Sequence, residues 1–216
     1  DVLVHVVRNI RETVITGGGE VRFGAKVTGL TTDSGRVTGI IVNGTETIQT
    51  DDVILAIGHS ARDTFPWLRD MGVAMERKPF SMGVRIEHLQ ADIDRAQYGR
   101  ARGALPPADY KLVEHLDDAT VYTFCMCPGG HVVAAASEAG RIVTNGMSNA
   151  DREGENANAA LLVTVNPADF PYEGTLGGMR WQREIEERAY QISGSYRAPA
   201  QTVSDFLAHR PSTGGG

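Results

Sequence analysis

Apolar positions recur at helical spacing from the first residues: Val4, Val7, Ile10 and Val14 fall on one face of a segment running from about residue 2 to Thr16. Gly17-Gly18-Gly19 follows and ends it. The pattern then changes to short β-rich runs. "EVRFGAKVTGL" reads as extended chain with a glycine interruption, "RVTGIIVNG" follows an Asp33-Ser34-Gly35 turn, and "ETIQTDDVILAIG" follows Asn43-Gly44. Three such runs joined by these turns predict a β-meander, whose last strand is expected to stop at Gly58.

Where the next helix starts is decided by a proline. Ser60 with Asp63 fits a capping box, but Ser60 as N-cap puts Pro66 at the sixth helical position, where it costs about 3 kcal/mol. Starting at Asp63 places Pro66 in the first turn, where its missing N–H has no partner to lose. Gly58 to Arg62 is then a loop, and Gly72 closes a short helix.

From Lys78 onward strands dominate. "PFSMGVRIEH", with alternating Met82, Val84 and Ile86, "TVYTFCMC", "HVVAAAS", "RIVTNGMS" and "ALLVTVNP" are strand candidates. "ADIDRAQYG" and "TVSDFLAHR" predict short helices. "RWQREIEERAYQI" predicts a charged amphipathic one, with Trp181, Ile185 and Tyr190 turned inward. The change divides the chain into a first domain over 1–77 and a second, β-rich α+β domain with peripheral helices over 78–216.

Composition narrows the class. The 216 residues, 41% hydrophobic and 22% charged, suffice for a sizeable core, and no apolar run reaches 18 residues. A net charge of −6 argues against a non-specific nucleic-acid grip. Two cysteines, Cys125 and Cys127, are too few for a disulfide framework and suggest a reducing, cytoplasmic setting. Asn43-Gly44-Thr45 is a glycosylation sequon but reads as a turn, and the only low-complexity tract is Gly214-Gly215-Gly216. The start without Met, inside a periodic element, leads us to expect a piece of a longer protein.

The chemistry-bearing motifs are few. No G-x-G-x-x-G phosphate cradle occurs between a strand and a helix, and no G-x-S-x-G elbow, H-E-x-x-H or P-loop is present. "NADREGENANA" fails the EF-hand spacing. In "CMCPGGH", strand alternation puts Cys125 and Cys127 on one face, as a redox or substrate-facing thiol pair or as two small core residues. A disulfide at this spacing would be strained. Zinc with His131 lacks the usual four ligands and C-x₂₋₄-C spacing, so no metal is expected. Arg85, in "VRIEH" with His88, suits either an anion or a salt bridge to Glu87 or another acid. His59 either reaches a ligand or stays solvated.

The runs "VILAIGHSARDTF", "KPFSMGVRIEH", "LPPADYKL", "YTFCMCPGGHVVAAASEAGRIVTNGMS", "GENANAALLVTVNP" and "YRAPAQTVSDFL" occur in this order. Together they resemble a group of poorly characterised bacterial FAD-dependent dehydrogenases, relatives of the glutathione-reductase-like flavoproteins with two dinucleotide-binding folds. The resemblance extends from about Val6 to Pro211. It implies an incomplete Rossmann-like FAD-binding portion with its β-meander, followed by a substrate-side domain, in an α+β or α/β whole. It implies that backbone near Val27 and the turn Ala56, Ile57, Gly58, His59 and Ser60 approach the adenosine end of FAD, small residues permitting close contact. The parent protein would be an FAD-dependent oxidoreductase transferring hydride between a small-molecule substrate and flavin. Cys125, Cys127 and Arg85 are its candidate catalytic residues. Because the phosphate cradle is absent, this chain alone is expected to bind FAD poorly. A non-catalytic module that binds a ligand or partner through the β-rich unit is the alternative.

Overall fold

The structure, a computed structural model, describes residues 2–101 and 103–213. Gly214-Gly215-Gly216 lies outside them. The chain forms two compact units, Asp1–Val73 and Ala74–Gly216.

In the first unit, α1 (Val2–Thr16) ends as its sequence predicts. Gly17 and Gly19 N–H groups close back on Thr13 and Val14 carbonyls at 3.0 and 2.9 Å. An antiparallel meander follows, β1 (Val27–Asp33), β2 (Arg36–Val42) and β3 (Glu46–Gln49), in that spatial order. Ser34-Gly35 and Asn43-Gly44 take positive φ at both turns, the backbone that tight hairpins demand. Asn43 also works as a brace, accepting from Lys26 N–H at 3.0 Å and donating to Gly24 C=O at 3.0 Å. This holds the irregular stretch before β1 against the hairpin. The short helix α2 (Thr64–Asp70) starts after Asp63, with Pro66 in its first turn, and Gly72 follows it at φ 84°. Leu68 of α2 and Val42 of β2 are the buried apolar side chains of this unit.

One expected strand is absent. "DDVILAIG" was to extend the meander to Gly58, but pairing stops at Gln49 and the last bond to β2 runs from Thr50 N–H to Thr38 C=O at 3.1 Å. Residues 51–57 are irregular, and Ile54 is 93% exposed. A strand exists by virtue of a neighbouring strand that pairs with its N–H and C=O groups, and no strand among the described residues pairs with this stretch.

The second unit is built on a four-stranded antiparallel sheet. Its strands are β4 (Phe80–Leu89), β5 (Val113–His115), β6 (Thr120–Cys127) and β9 (Asn156–Val165), in the order β4-β9-β6-β5. A separate hairpin pairs β7 (Gly130–Ala134) with β8 (Thr144–Ser148). Helix α3 (Gln90–Tyr98) packs on β4 and β9, α4 (Gly177–Ser193) meets β4 through Trp181, and α5 (Val203–Leu207) follows near the end of the chain. β9 is central because it is the small, apolar strand: its Ala157 and Ala159 are 0% exposed. It pairs with β4 without interruption from Phe80↔Val165 to Leu89↔Asn156. At the far end Phe80, Phe170 and Trp181 of α4 form an aromatic cluster with centroids 5.0 to 6.3 Å apart. Tyr190 packs on Tyr196 at 5.0 Å, whereas Ile185, expected inside, is exposed.

Every ladder among the described residues is antiparallel. The chain is thus a mixed α and β protein with several antiparallel sheets, and no helix among the described residues is long and apolar enough to cross a membrane.

Candidate functional site

The first unit contains a cavity of about 410 Å³. Val27 and Ile40 of the meander, Ile57 of the irregular stretch and Trp67 of α2 form its apolar wall. The ion pair between Lys26 and Asp63 lies on its lining. Lys26 donates to the Asp63 carboxylate and holds its pKa below the usual value, and Asp63 makes no side-chain cap to α2. Ligand pockets span roughly 300–1,000 Å³, so this one lies toward the lower end of that range.

Of the six residues singled out for cofactor contact, Val27 and Ile57 line the cavity. Ala56, Gly58, His59 and Ser60 do not. Gly58 adopts φ 68°, so the turn has the left-handed backbone a glycine permits. His59 is committed within the loop: its Nε2 lies 2.7 Å from Nη2 of buried Arg62. A guanidinium only donates, so in this contact Nε2 is the accepting atom.

The second unit gathers a different set. Cys125 and Cys127 do not share a face by simple alternation. β6 pairs Phe124 with Ala160 and then Cys127 with Asn158, so two residues oppose one and the strand bulges. Cys125 sits at φ 45°, a conformation that costs a non-glycine residue on the order of 1–3 kcal/mol. The bulge leaves Cys125 exposed and Cys127 half-buried, both as free thiols. It also turns the Cys125 carbonyl inward, where it accepts from the Cys127 thiol at 3.3 Å and from Arg85 Nη1 at 3.3 Å. Neither cysteine is a buried core residue.

Arg85 is the centre of this group. Its Nη1 donates to Asn158 Oδ1 at 2.5 Å and lies 3.9 Å from Cys127 Sγ. Its Nη2 donates to Asn145 Oδ1 at 3.2 Å. The expected salt bridge to Glu87 does not form. Glu87 instead accepts from Asn156 Nδ2 at 2.6 Å, and no carboxylate among the described residues lies within ion-pair distance of Arg85. Close approach is bought at Gly146 of β8, where a Cβ would stand 2.1 Å from Arg85 Nη1 and 2.3 Å from Asn158 Oδ1. His88, three residues on, faces the other side of β4 and pairs with Tyr110 at 2.7 Å, so it takes no part. Burial raises the pKa of Tyr110. His131 stands apart on β7, and no group of three or more potential metal ligands occurs among the described residues.

Asn158, Asn145 and Gly146 escaped the sequence reading. A signal for Asn158 was present, since it is a lone amide inside the small-residue run "ANAALLV" of a central strand. A polar side chain there must be hydrogen-bonded to be tolerated.

An antiparallel β-rich unit joined to a smaller meander unit with a cavity of its own is the class of protein seen here. Residues 79–216 match the family described as "FAD-dependent protein, C-terminal domain-like", and the chain belongs to that family. It is also 48% identical over 218 residues to a protein of Clostridium beijerinckii (strain ATCC 51743 / NCIMB 8052) bearing the name "Uncharacterized protein". That alignment takes in 99% of this chain and 41% of the relative, so the chain spans about two fifths of the relative's length.

Proposed function

We propose that this chain is part of an FAD-dependent oxidoreductase, contributing the adenosine-side contact of the cofactor and the substrate-side domain. The observation that carries the reading is the match of residues 79–216 to an FAD-dependent family. The cavity of the first unit is consistent with it in size and lining. Val27, Ile57 and Trp67 would hold the adenine by apolar and stacking contact, with the Gly58 turn passing alongside. The fit ends there, because no glycine-rich strand–turn–helix cradle for a pyrophosphate occurs among the described residues. A Rossmann-like setting for this unit would therefore be completed by chain outside the described residues.

Bound flavin supplies hydride chemistry between a small-molecule substrate and the isoalloxazine ring. This chain's own residues bind and orient. Lys26 and Asp63 fix the start of α2 against the cavity. In the second unit, Arg85 supplies a positive charge with the half-buried Cys127 thiol beside it, and the Cys125 carbonyl accepts from its guanidinium while the Cys125 thiol is exposed.

Two measurements test the reading. The longer Clostridium relative, purified, is expected to carry FAD visible in its absorbance spectrum, and a protein that neither carries nor takes up flavin overturns the proposal. Titration of this chain with FAD, followed by flavin fluorescence, is expected to show weak binding or none. Micromolar affinity would mean that the cofactor does not need a separate phosphate cradle.

A further inference from the structure

The geometry points to Arg85 as the seat for a carboxylate, in a ligand whose apolar body lies along Ala160 and Phe124. The inference rests on reading the second unit as the substrate side, and it names the class of molecule that side takes.

A half-buried guanidinium normally finds an acid, because an unpaired charge away from water is costly. Arg85 finds none among the described residues. Its partners are two amide oxygens, a backbone carbonyl and a sulfur, all uncharged groups that orient the fork without neutralising it. The orientation is tightly set. Asn158 is 0% exposed, and Arg85 dictates its amide, since only Oδ1 can face a donor. Its Nδ2 is thereby left as a buried donor without a protein partner. Gly146 removes the one side chain that would push the fork away.

The donors still available are those a carboxylate uses. Nη1 and Nη2 are engaged, but Nε–H has no partner among the described residues and is not one of the enclosed orphan atoms. Beside it Nη2 carries a second N–H, and parallel N–H groups of a guanidinium donate to the two oxygens of a carboxylate. One positive charge surrounded by neutral amides matches a monoanion better than a pyrophosphate. The neighbouring surface explains the rest of the ligand. Arg85, Ala160 and Phe124 are paired across β4, β9 and β6, so they share one face of the sheet, and Phe124 is 57% exposed. An exposed aromatic next to an uncompensated cation suits an acid with an apolar or aromatic body.

The test uses the whole chain labelled with ¹⁵N. The Arg85 Nε–H resonance, identified by its loss in Arg85→Lys, is followed as phenylacetate, acetate or pyrophosphate is added at constant ionic strength. Phenylacetate is expected to shift it saturably and to bind about tenfold more tightly than acetate, because only the former covers Phe124. Phe124→Ala, at an exposed position that leaves folding intact, is expected to bring phenylacetate to the level of acetate. Absence of a saturable shift with either acid overturns the proposal. So does tighter binding of pyrophosphate, or a preference for phenylacetate that survives Phe124→Ala. No FAD is added, so a negative result leaves the flavin reading standing, and a relative without flavin leaves this titration untouched.

Discussion

The shorter unit, Asp1–Val73, exposes as many large apolar side chains as the longer Ala74–Gly216 does. In Ala74–Gly216 residues 157–159 of the central strand β9 are buried and the Phe80, Phe170 and Trp181 rings pack on one another. In Asp1–Val73 the helix α1 has the regular apolar stripe of a packed helix, yet none of its residues is buried. Ile54 and Phe23 are likewise exposed. The contrast separates pattern from packing: an amphipathic stripe specifies a helix and the face it offers, whereas burial needs a partner surface. The unit with a four-stranded sheet provides that surface from its own strands. A three-stranded meander with a seven-residue helix provides much less.

The comparison can be broken in graded steps, and each unit holds one of the two tryptophans, Trp67 and Trp181, as its own reporter. The largest effect is expected for Gly129→Ala in the second unit. Gly129 has φ 54° and a Cβ there would meet the Arg152 carbonyl oxygen at 1.9 Å, so strain and overpacking together cost about 3 kcal/mol. Urea unfolding read on Trp181 in a Trp67→Phe background measures it. Phe170→Ala, which opens the aromatic cluster, should cost about 2–3 kcal/mol by the same readout, less than full ring burial would give. In the first unit Ile10→Gln should change the Trp67 transition by less than about 0.5 kcal/mol, because Ile10 is 60% exposed. A loss as large as that of Phe170→Ala would end the contrast between the units.

The smallest effect is electrostatic. Lys26 depresses the Asp63 pKa below its ordinary value of 3.8 in the folded chain. The unfolded chain therefore takes up the proton first as pH falls. The ion pair's contribution is complete above that ordinary value and disappears as pH drops through the folded pKa. Asp63→Asn should flatten this part of the acid limb when urea midpoints are compared between about pH 5 and about pH 3. Parallel curves for the two proteins would show that the pair adds nothing, the common outcome for exposed ion pairs.

Much of the secondary structure was legible because its causes are local. Gly17-Gly18-Gly19 ends α1, Ser34-Gly35 and Asn43-Gly44 turn the meander, and Pro66 fixes where α2 can begin. These follow from steric limits on φ and from missing N–H groups, which a residue carries wherever it is placed. The short edge strand β5 passed unnoticed, having three exposed residues and no alternation to betray it.

What the sequence could not decide is everything that depends on a neighbour far along the chain. "DDVILAIG" has the composition of a strand, but strandhood is a property of a pair, and pairing stops at Gln49. Cys125 and Cys127 should alternate in phase on an ideal strand, and a bulge set by the register against β9 put them out of phase. Arg85 was visible as a candidate from its residue type alone. That it would meet Asn158 and Asn145 instead of an acid, over a glycine 61 positions later, was settled by three strands coming together. By itself the sequence determined turns, helix limits and the family to which the chain belongs, because these rest on local sterics and on motif order. The tertiary structure alone decided which charge stayed uncompensated, because that depends on every group brought within a few ångströms of it.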